Sequence, residues 1–454
     1  MIGTVLVANR GEIAVRVVRT CWELGIRSVV AHSSADRESA AVRLADEAIQ
    51  IGPGPAKESY LNIPAVIEAA RAKGADAIHP GYGFLSENPD FAEVCEAEGI
   101  TFIGPPAGVM ARLGDKSTAR AMMAEAGLPL LPGSREPLSG VAEAAALADE
   151  IGYPVIIKAV AGGGGRGMAV VRSAGEFAEA WARTRASAQA VFGDGRLYVE
   201  RYLDSARHVE IQVLADTHGG VVHLGARDCS LQRRHQKLVE ESPAPRLSPD
   251  VVVAMGEAAV QGARAAGYVG AGTFEFLVDT DERFYFMEVN CRLQVEHPVT
   301  ELVTGLDLVR EQIRVAAGEP LGYTRVEQRG AAIECRINAE DPSRDFAPAP
   351  GLLAECELPA GPFTRVDTHA FRGYRVPPLY DSLLAKLIVW APDRDAAIAR
   401  MRRALAEVRL SGPGVATTTE FLSGVLDHPR FRSATHDTRF IESVVPETFT
   451  RATA

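Results

Sequence analysis

Residues 273–297 read TFEFLVDTDERFYFMEVNCRLQVEH. Thr273 to Val278 and Arg283 to Val289 are two runs rich in Phe, Val and Tyr, joined by Asp279-Thr280-Asp281-Glu282. That pattern predicts a β-hairpin. If the four-residue loop closes it, Val278 faces Arg283 and Glu275 faces Phe286. Side chains alternate along a strand, so Phe286, Glu288 and Asn290 are expected to share a face with Glu275. Glu275 and Glu288 then become diagonal neighbours, roughly 7–8 Å apart. Two carboxylates and an amide oxygen on one face suit a hard cation, Mg²⁺ above all, which takes one or two carboxylates and leaves its other positions to water and phosphate. The same residues also read as the polar outer face of a solvated hairpin.

The next residues favour the first reading. Arg292, Gln294 and Glu296 continue the alternation. An Arg fork suits a planar oxyanion such as bicarbonate, and Glu296 can take a proton from it. A metal site followed at once by a cation and a base reads as a place where an oxyanion attacks a bound phosphate.

The 454 residues are too many for one simple core and imply two to four domains. A net charge of -11 argues against a general nucleic-acid or anionic-membrane surface. The six cysteines (Cys21, Cys95, Cys229, Cys291, Cys335 and Cys356) are scattered without C-x-x-C spacing, which points to reduced packing cysteines rather than zinc or disulfides. No signal peptide or long apolar run is visible, so a cytoplasmic location is expected. Of 48 basic residues only six are lysines, at 57, 73, 116, 158, 237 and 386. A lysine kept in so Arg-rich a chain invites a functional reading.

In chain order, residues 3–8, a helix after Asn9-Arg10-Gly11-Glu12 and a strand at Ser28–His32 form a β-α-β opening. No G-x-G-x-x-G follows the first strand, which disfavours a dinucleotide site. HPGYGFLSEN (79–88) is a loop whose Tyr82 and Glu87 can line a cleft at the strand ends. Lys116 opens a helix, where the dipole disfavours a cation, so it reads as a phosphate contact. In YPVIIKAVAGGGGRGMAVVR (153–172), an apolar alternating run rather than a helix follows the glycines. This predicts strand, glycine loop, strand: a flap able to close over phosphates, with Lys158 aimed at them. Glu200 to Leu203 follow a strand and can meet an adenine edge. The basic run Gln232–Lys237 is too short for a nucleic-acid patch and reads as a small-anion pocket. Arg336 lies on a half-buried strand that has a polar face.

Together, ANRGEIA (8–14), HSSADR (32–37), HPGYGFLSEN (79–88), GDK (114–116), KAVAGGGGRGM (158–168), RHVEIQVLAD (207–216), RDCSLQRRHQK (227–237), GTFEF (272–276), RLQVEHPVTE (292–301), ECRINAED (334–341) and YDS (380–382) resemble biotin carboxylase, of the ATP-grasp superfamily. The resemblance runs from about residue 3 to about residue 440. It implies an α/β ATP-grasp fold: an N-terminal Rossmann-like domain over 1–113, an ATP-grasp domain over 114–324 with a mobile lid at about 131–202, and a C-terminal β-rich domain over 325–454. It implies carboxylation of biotin by bicarbonate and ATP through carboxyphosphate.

By the same resemblance, ATP is expected at Lys116, Lys158, Gly164, Gly165, Glu200, Arg201, Tyr202, Leu203, His208, Glu275 and Glu288. Mg²⁺ or Mn²⁺ is expected on Glu275, Glu288 and Asn290, and bicarbonate at Lys237, Arg292, Gln294 and the Val295 amide. Glu296 is the expected general base. Arg336 is expected at the biotin ureido oxygen and Tyr82 at its border, so that Arg292, Glu296, Lys237 and Arg336 form the catalytic set. Val289 and Cys291 depart from the family's common Met and Thr or Pro, on the side away from the polar face. No Met-Lys-Met biotinyl motif is present. Biotin is therefore expected on a separate biotin carboxyl carrier protein, with carboxyltransferase subunits acting on an acyl-CoA, acetyl-CoA first. A homodimer is expected, with no nucleic-acid or membrane partner. The competing readings are an ATP-grasp ligase using urea, an amine or a keto acid, and a non-catalytic nucleotide-binding subunit.

Overall fold

The computed structural model describes residues 2–134, 136–161 and 167–443. Its first layer is a five-stranded parallel sheet, ordered Glu47–Gly52, Arg27–Ser33, Thr4–Val7, Ala77–His79, Thr101–Phe102. Strand order reverses between Thr4–Val7 and Ala77–His79, and at such a switch point the loops leave a crevice. Asn9 fills part of it: its Nδ2 donates to the carbonyls of Pro80 and Tyr82, each at 2.7 Å. Gly81 has a φ of +62°, and a Cβ there would collide with Asn9.

A second unit is a three-stranded antiparallel sheet, Met168–Val171, Val155–Ala159 and Leu197–Arg201, with helices Val141–Ile151 and Ala174–Phe192 packed against it. Phe177, Trp181, Val155, Ile157 and Val199 make its own core. The strand–loop–strand expected from the glycine run is present at both strands. Gly164 and Gly165 themselves lie outside the described residues.

The third element joins everything else. An eight-stranded antiparallel sheet runs Phe284–Asn290, Gly270–Val278, Arg207–Ala215, Val221–Arg233, Gln236–Ser242, Ala331–Asn338, Leu383–Ala391, Thr364–Thr368. Helices Arg394–Glu407 and Thr419–Asp427 cover its far end around Ile333, Leu387 and Met401.

The hairpin forms, in a different register. Val278 pairs with Phe284, Phe276 with Phe286, and Glu275 directly with Glu288. Two causes act together. The turn takes five residues, with Asp279 N–H donating to the Arg283 carbonyl at 2.9 Å and Glu282 at a φ of +60°. A bulge then inserts Met287, which flips the strand's facing. Phe286 therefore packs with Phe274 and Phe276 in the core rather than beside Glu275. Burial of each of these rings contributes about 1.5–3 kcal/mol. Residues 291–296 are not a continuing strand. They form a turn into the helix His297–Thr304, which Pro298 begins.

Candidate active site

The hairpin bulge aims Glu275 and Glu288 at one cleft, and four more strands bring the rest. Lys237 is at the centre. Its Nζ donates to Glu210 at 2.6 Å, Glu275 at 3.0 Å and Glu296 at 2.5 Å. Burial works against its charge, but the three carboxylates outweigh burial and hold its pKa well above the ordinary value. Glu275 also receives Gln294 Nε2 at 3.0 Å and faces His208 Nε2 at 2.9 Å. Burial pushes the Glu275 carboxyl up, yet Lys237 and His208 bring it well below the usual carboxylate range.

Glu296 is completely buried. Burial again opposes ionisation, and Lys237, Arg336 and Arg227 overcome it, so its pKa is lowered. Arg336 spans two acids, with Nε on Glu240 at 2.6 Å and Nη2 on Glu296 at 2.8 Å. Arg292 donates to Glu87 at 2.8 Å, Asn290 at 3.0 Å and Gln294 at 3.2 Å. Arg227, wholly buried behind the site, ties Glu210, Gln212, Thr273 and Thr300 together.

Of the residues expected at the nucleotide, Lys116 and Lys158 both act on the charge of Glu200. Asp115 caps the helix Lys116–Glu125 by accepting from Thr118 N–H at 2.8 Å. This places Lys116 Nζ 3.3 Å from Glu288. Lys158 and Arg120 both bind Glu200, and together they lower its carboxyl despite burial. The amides of Arg201 and Tyr202 are bonded to the carbonyls of Pro132 and Pro154.

Two expectations need correction. The basic run 232–237 is a tight hairpin turn at Arg234 and His235, both with positive φ. Lys237 points into the site and Gln232 Nε2 lies 3.4 Å from His208 Nδ1, while Arg233 and Arg234 pair with Asp345 outside it. The Tyr82 hydroxyl donates to Glu12, and the residue is half-buried. Arg292, Gln294 and Glu296 converge through a turn, not through strand alternation. Sequence reasoning missed Arg227, Arg120 and Glu12, and gave Lys386, which it marked as a rare lysine, no place in the site. Their burial is their signal, and burial is not visible in a polar residue's identity.

The donors fit a hard divalent cation. Glu275 and Glu288 face each other across the hairpin. Glu288 is 39% exposed and so leaves oxygens open to a cation and to phosphate. Asn290 Oδ1 accepts from Arg292 and keeps a second lone pair, while its buried Nδ2 has no partner among the described residues. The ligand atoms of His208, Glu210 and Glu275 also lie within 4.8 Å of one another. In that group Glu210 is wholly buried and already paired with Lys237 and Arg227, whereas Glu288 is partly exposed, so Glu288 with Glu275 is the better cation site.

Residues 1–110, 115–324 and 334–443 match the family models described as "Biotin carboxylase, N-terminal domain", "Carbamoyl-phosphate synthase L chain, ATP binding domain" and "Biotin carboxylase C-terminal domain". The chain is 52% identical to "Biotin carboxylase 1" of Bacillus subtilis (strain 168), over 98% of this chain and 99% of that one. It is similar to a solved biotin carboxylase from Campylobacter jejuni in complex with β,γ-ATP (TM-score 0.95, 48% identity, 98% of this chain and 99% of that one). It is also similar to the biotin carboxylase domain dimer of Hydrogenobacter thermophilus 2-oxoglutarate carboxylase in complex with MgADP, ADP and bicarbonate (TM-score 0.94, 46% identity, 99% of both chains).

Proposed function

The chain belongs to the biotin carboxylase family, and from that premise we propose how its residues perform the ATP-dependent carboxylation of biotin by bicarbonate. One observation carries the assignment of roles: a single ammonium, that of Lys237, joins Glu275 of the cation hairpin to Glu296 of the Arg292–Glu296 turn. The phosphate side and the oxyanion side are thereby built around one charge.

ATP lies along Lys116, Lys158, Glu200 to Leu203 and His208. Glu275 and Glu288, with Asn290, hold Mg²⁺ or Mn²⁺, which when bound neutralises phosphate oxygens and orients them. Phosphoryl transfer asks mainly for such positioning and neutralisation. Bicarbonate sits against Lys237, Arg292, Gln294 and the Val295 amide, and Glu296 takes its proton. A carboxylate held at low pKa is a weak base. The arriving anion corrects this: it draws on the charge of Lys237, and Glu296 becomes more basic as its share falls. Attack of a bicarbonate oxygen on the terminal phosphorus expels ADP and gives carboxyphosphate, which breaks down beside Arg292 and Arg336 to CO₂ and phosphate; the phosphate takes the N1′ proton as the biotin nitrogen bonds to the CO₂ carbon. Arg336 holds the ureido oxygen, with Tyr82 at the border of the ring.

We further assign biotin to a separate carrier protein and the carboxyl group to an acyl-CoA, acetyl-CoA first, through carboxyltransferase partners. The working unit is a homodimer in the cytoplasm. No helix among the described residues is long and apolar enough to cross a membrane. The test is fixation of labelled bicarbonate by the purified chain with ATP, Mg²⁺ and free biotin. Biotin-dependent fixation that Glu296→Gln abolishes supports the reading. ATP turnover that ignores biotin overturns the acceptor assignment.

A further inference from the structure

Lys386 is one of six lysines in the chain and is completely buried, on the strand Leu383–Ala391. Its Nζ donates to the Val295 carbonyl at 2.9 Å and lies 3.1 Å from Glu12 and 3.8 Å from Asp367. Three regions of the chain meet on this one ammonium. Glu12 comes from the first helix, Val295 from the turn after the cation hairpin, and Lys386 and Asp367 from the last two strands of the long sheet.

The turn carries a second grip one peptide earlier. His297 Nδ1 lies 2.8 Å from the Gln294 carbonyl, and the His297 backbone N–H reaches the same oxygen at 3.3 Å. A carbonyl only accepts, so the imidazole carries its proton on Nδ1. Burial, with Lys386 and Arg16 nearby, lowers its pKa well below the ordinary value and keeps the ring neutral.

Peptide groups are planar and trans, so fixing a carbonyl oxygen fixes the N–H on its opposite edge. The Gln294 carbonyl shares its plane with the Val295 N–H. The Val295 carbonyl shares its plane with the nitrogen of Glu296. Lys386 and His297 thus hold two consecutive peptide planes. Among the described residues, the Val295 N–H donates to no protein acceptor. A gripped amide left without a partner is prepared for a ligand atom, and a fixed anchor for Glu296 keeps its carboxylate aimed.

We propose that Lys386 and His297 are positioning residues for bicarbonate: between them they lock the two peptide planes that present the Val295 amide and carry Glu296. Lys386 also makes the lock depend on contact between the first helix and the last strands, because Glu12 meets its charge. The inference rests on the bicarbonate reading of the 292–296 turn.

The test is steady-state ATP hydrolysis by the full chain, with bicarbonate and ATP each varied at saturating Mg²⁺ and biotin. In Lys386→Met the KM for bicarbonate rises on the order of ten- to a hundredfold, as expected for a reacting group displaced by about an ångström. The KM for ATP stays within about twofold, since no ground-state contact to the nucleotide is lost. His297→Phe keeps the ring and deletes the donor, and it raises the bicarbonate KM in the same way. His297→Asn restores an N–H near the Nδ1 position and recovers most of the affinity. If Lys386→Met does not fold, the two His297 variants decide alone. Folded variants with a bicarbonate KM unchanged in both Lys386→Met and His297→Phe overturn the proposal, as does an equal rise in both KM values. Glu296→Gln separates the two layers. Full turnover in that variant removes the bicarbonate reading itself. Lost turnover there, with unchanged KM in the positioning variants, removes only this inference.

Discussion

Lys237 Nζ and Glu296 Oε1 lie 2.5 Å apart, and the same ammonium also neutralises Glu210 and Glu275. The base of the proposed reaction and a carboxylate of the cation site therefore share one counter-charge. Perturbing that charge should be felt in both chemistry and stability.

Glu296→Gln should lower bicarbonate-dependent ATP turnover by about 10²–10⁴, the usual worth of a positioned base. Lys237→Met should shift the profile instead. The folded pKa of Glu296 is lowered, so its contribution to stability is full above the unfolded value of about 4.3 and is lost as pH falls through the folded one. Without Lys237 that folded value rises. The acid limb of kcat/KM for bicarbonate and the acid-unfolding midpoint should both move to higher pH. Leaving buried carboxylates less compensated should also cost about 3–5 kcal/mol in denaturant unfolding.

Glu288 and Glu275 are paired on the hairpin yet differ in surroundings. Glu288 is 39% exposed and meets Lys116 at 3.3 Å. Glu288→Gln should lower turnover on the order of 10²-fold and weaken Mg²⁺ activation, with the melting temperature nearly unchanged. Glu275→Gln should cost activity and stability together, because it disturbs Lys237, His208 and Gln294. Calorimetry beside a Mg²⁺ titration distinguishes the two.

Glu240 and Glu334 face each other on adjacent strands, both fully buried. Among the described residues, neither carboxylate oxygen of Glu334 has a hydrogen-bond partner. Burial raises Glu334 well above its ordinary pKa, only partly offset by Lys386, and raises Glu240 to about 7. The sign is opposite to that of Glu296. A carboxyl raised in the fold holds its proton after the unfolded chain has lost it, so stability falls as pH rises above about 4.3. Glu334→Gln should therefore stabilise the protein at pH 8 by about 1–3 kcal/mol, with the gain shrinking towards pH 4. Urea unfolding at several pH values measures it.

Lys158 pairs with Glu200, which keeps Arg120 as a second partner. Lys158→Met should therefore fold normally. Losing a charged contact to phosphate, worth about 1.5–3 kcal/mol, should raise the KM for ATP by roughly ten- to a hundredfold, with the KM for bicarbonate little changed.

The strands of the hairpin were legible in TFEFLV and RFYFMEV because aromatic and β-branched runs leave few alternatives. Their register was not. Nothing in the composition marks Met287 as an inserted residue or tells a four-residue loop from a five-residue one. The pairing of Glu275 with Glu288 came closer than expected because of that bulge. Gln294 and Glu296 reached the site by a route that strand periodicity does not describe, since Pro298 turns the chain into a helix. The places of Arg227 and Lys386 were illegible for a different reason. Alternation tells which residues share a face but not which faces will be covered by a later part of the chain. The half-buried edge strand Glu47–Gly52 went unread because its apolar residues are too few to set a period.

The sheet that carries Glu275 and Glu288 at one edge carries Arg336 and Lys386 near the other. Four rungs, from Ser242↔Ala332 to Val239↔Cys335, bridge the seam between the nucleotide-binding part and the C-terminal part. The boundary visible in the sequence near residue 325 is therefore not a mechanical one. A chimera or a split gene cut there would bare two unpaired strand edges, each a template for intermolecular pairing, and the separated halves should aggregate rather than complement.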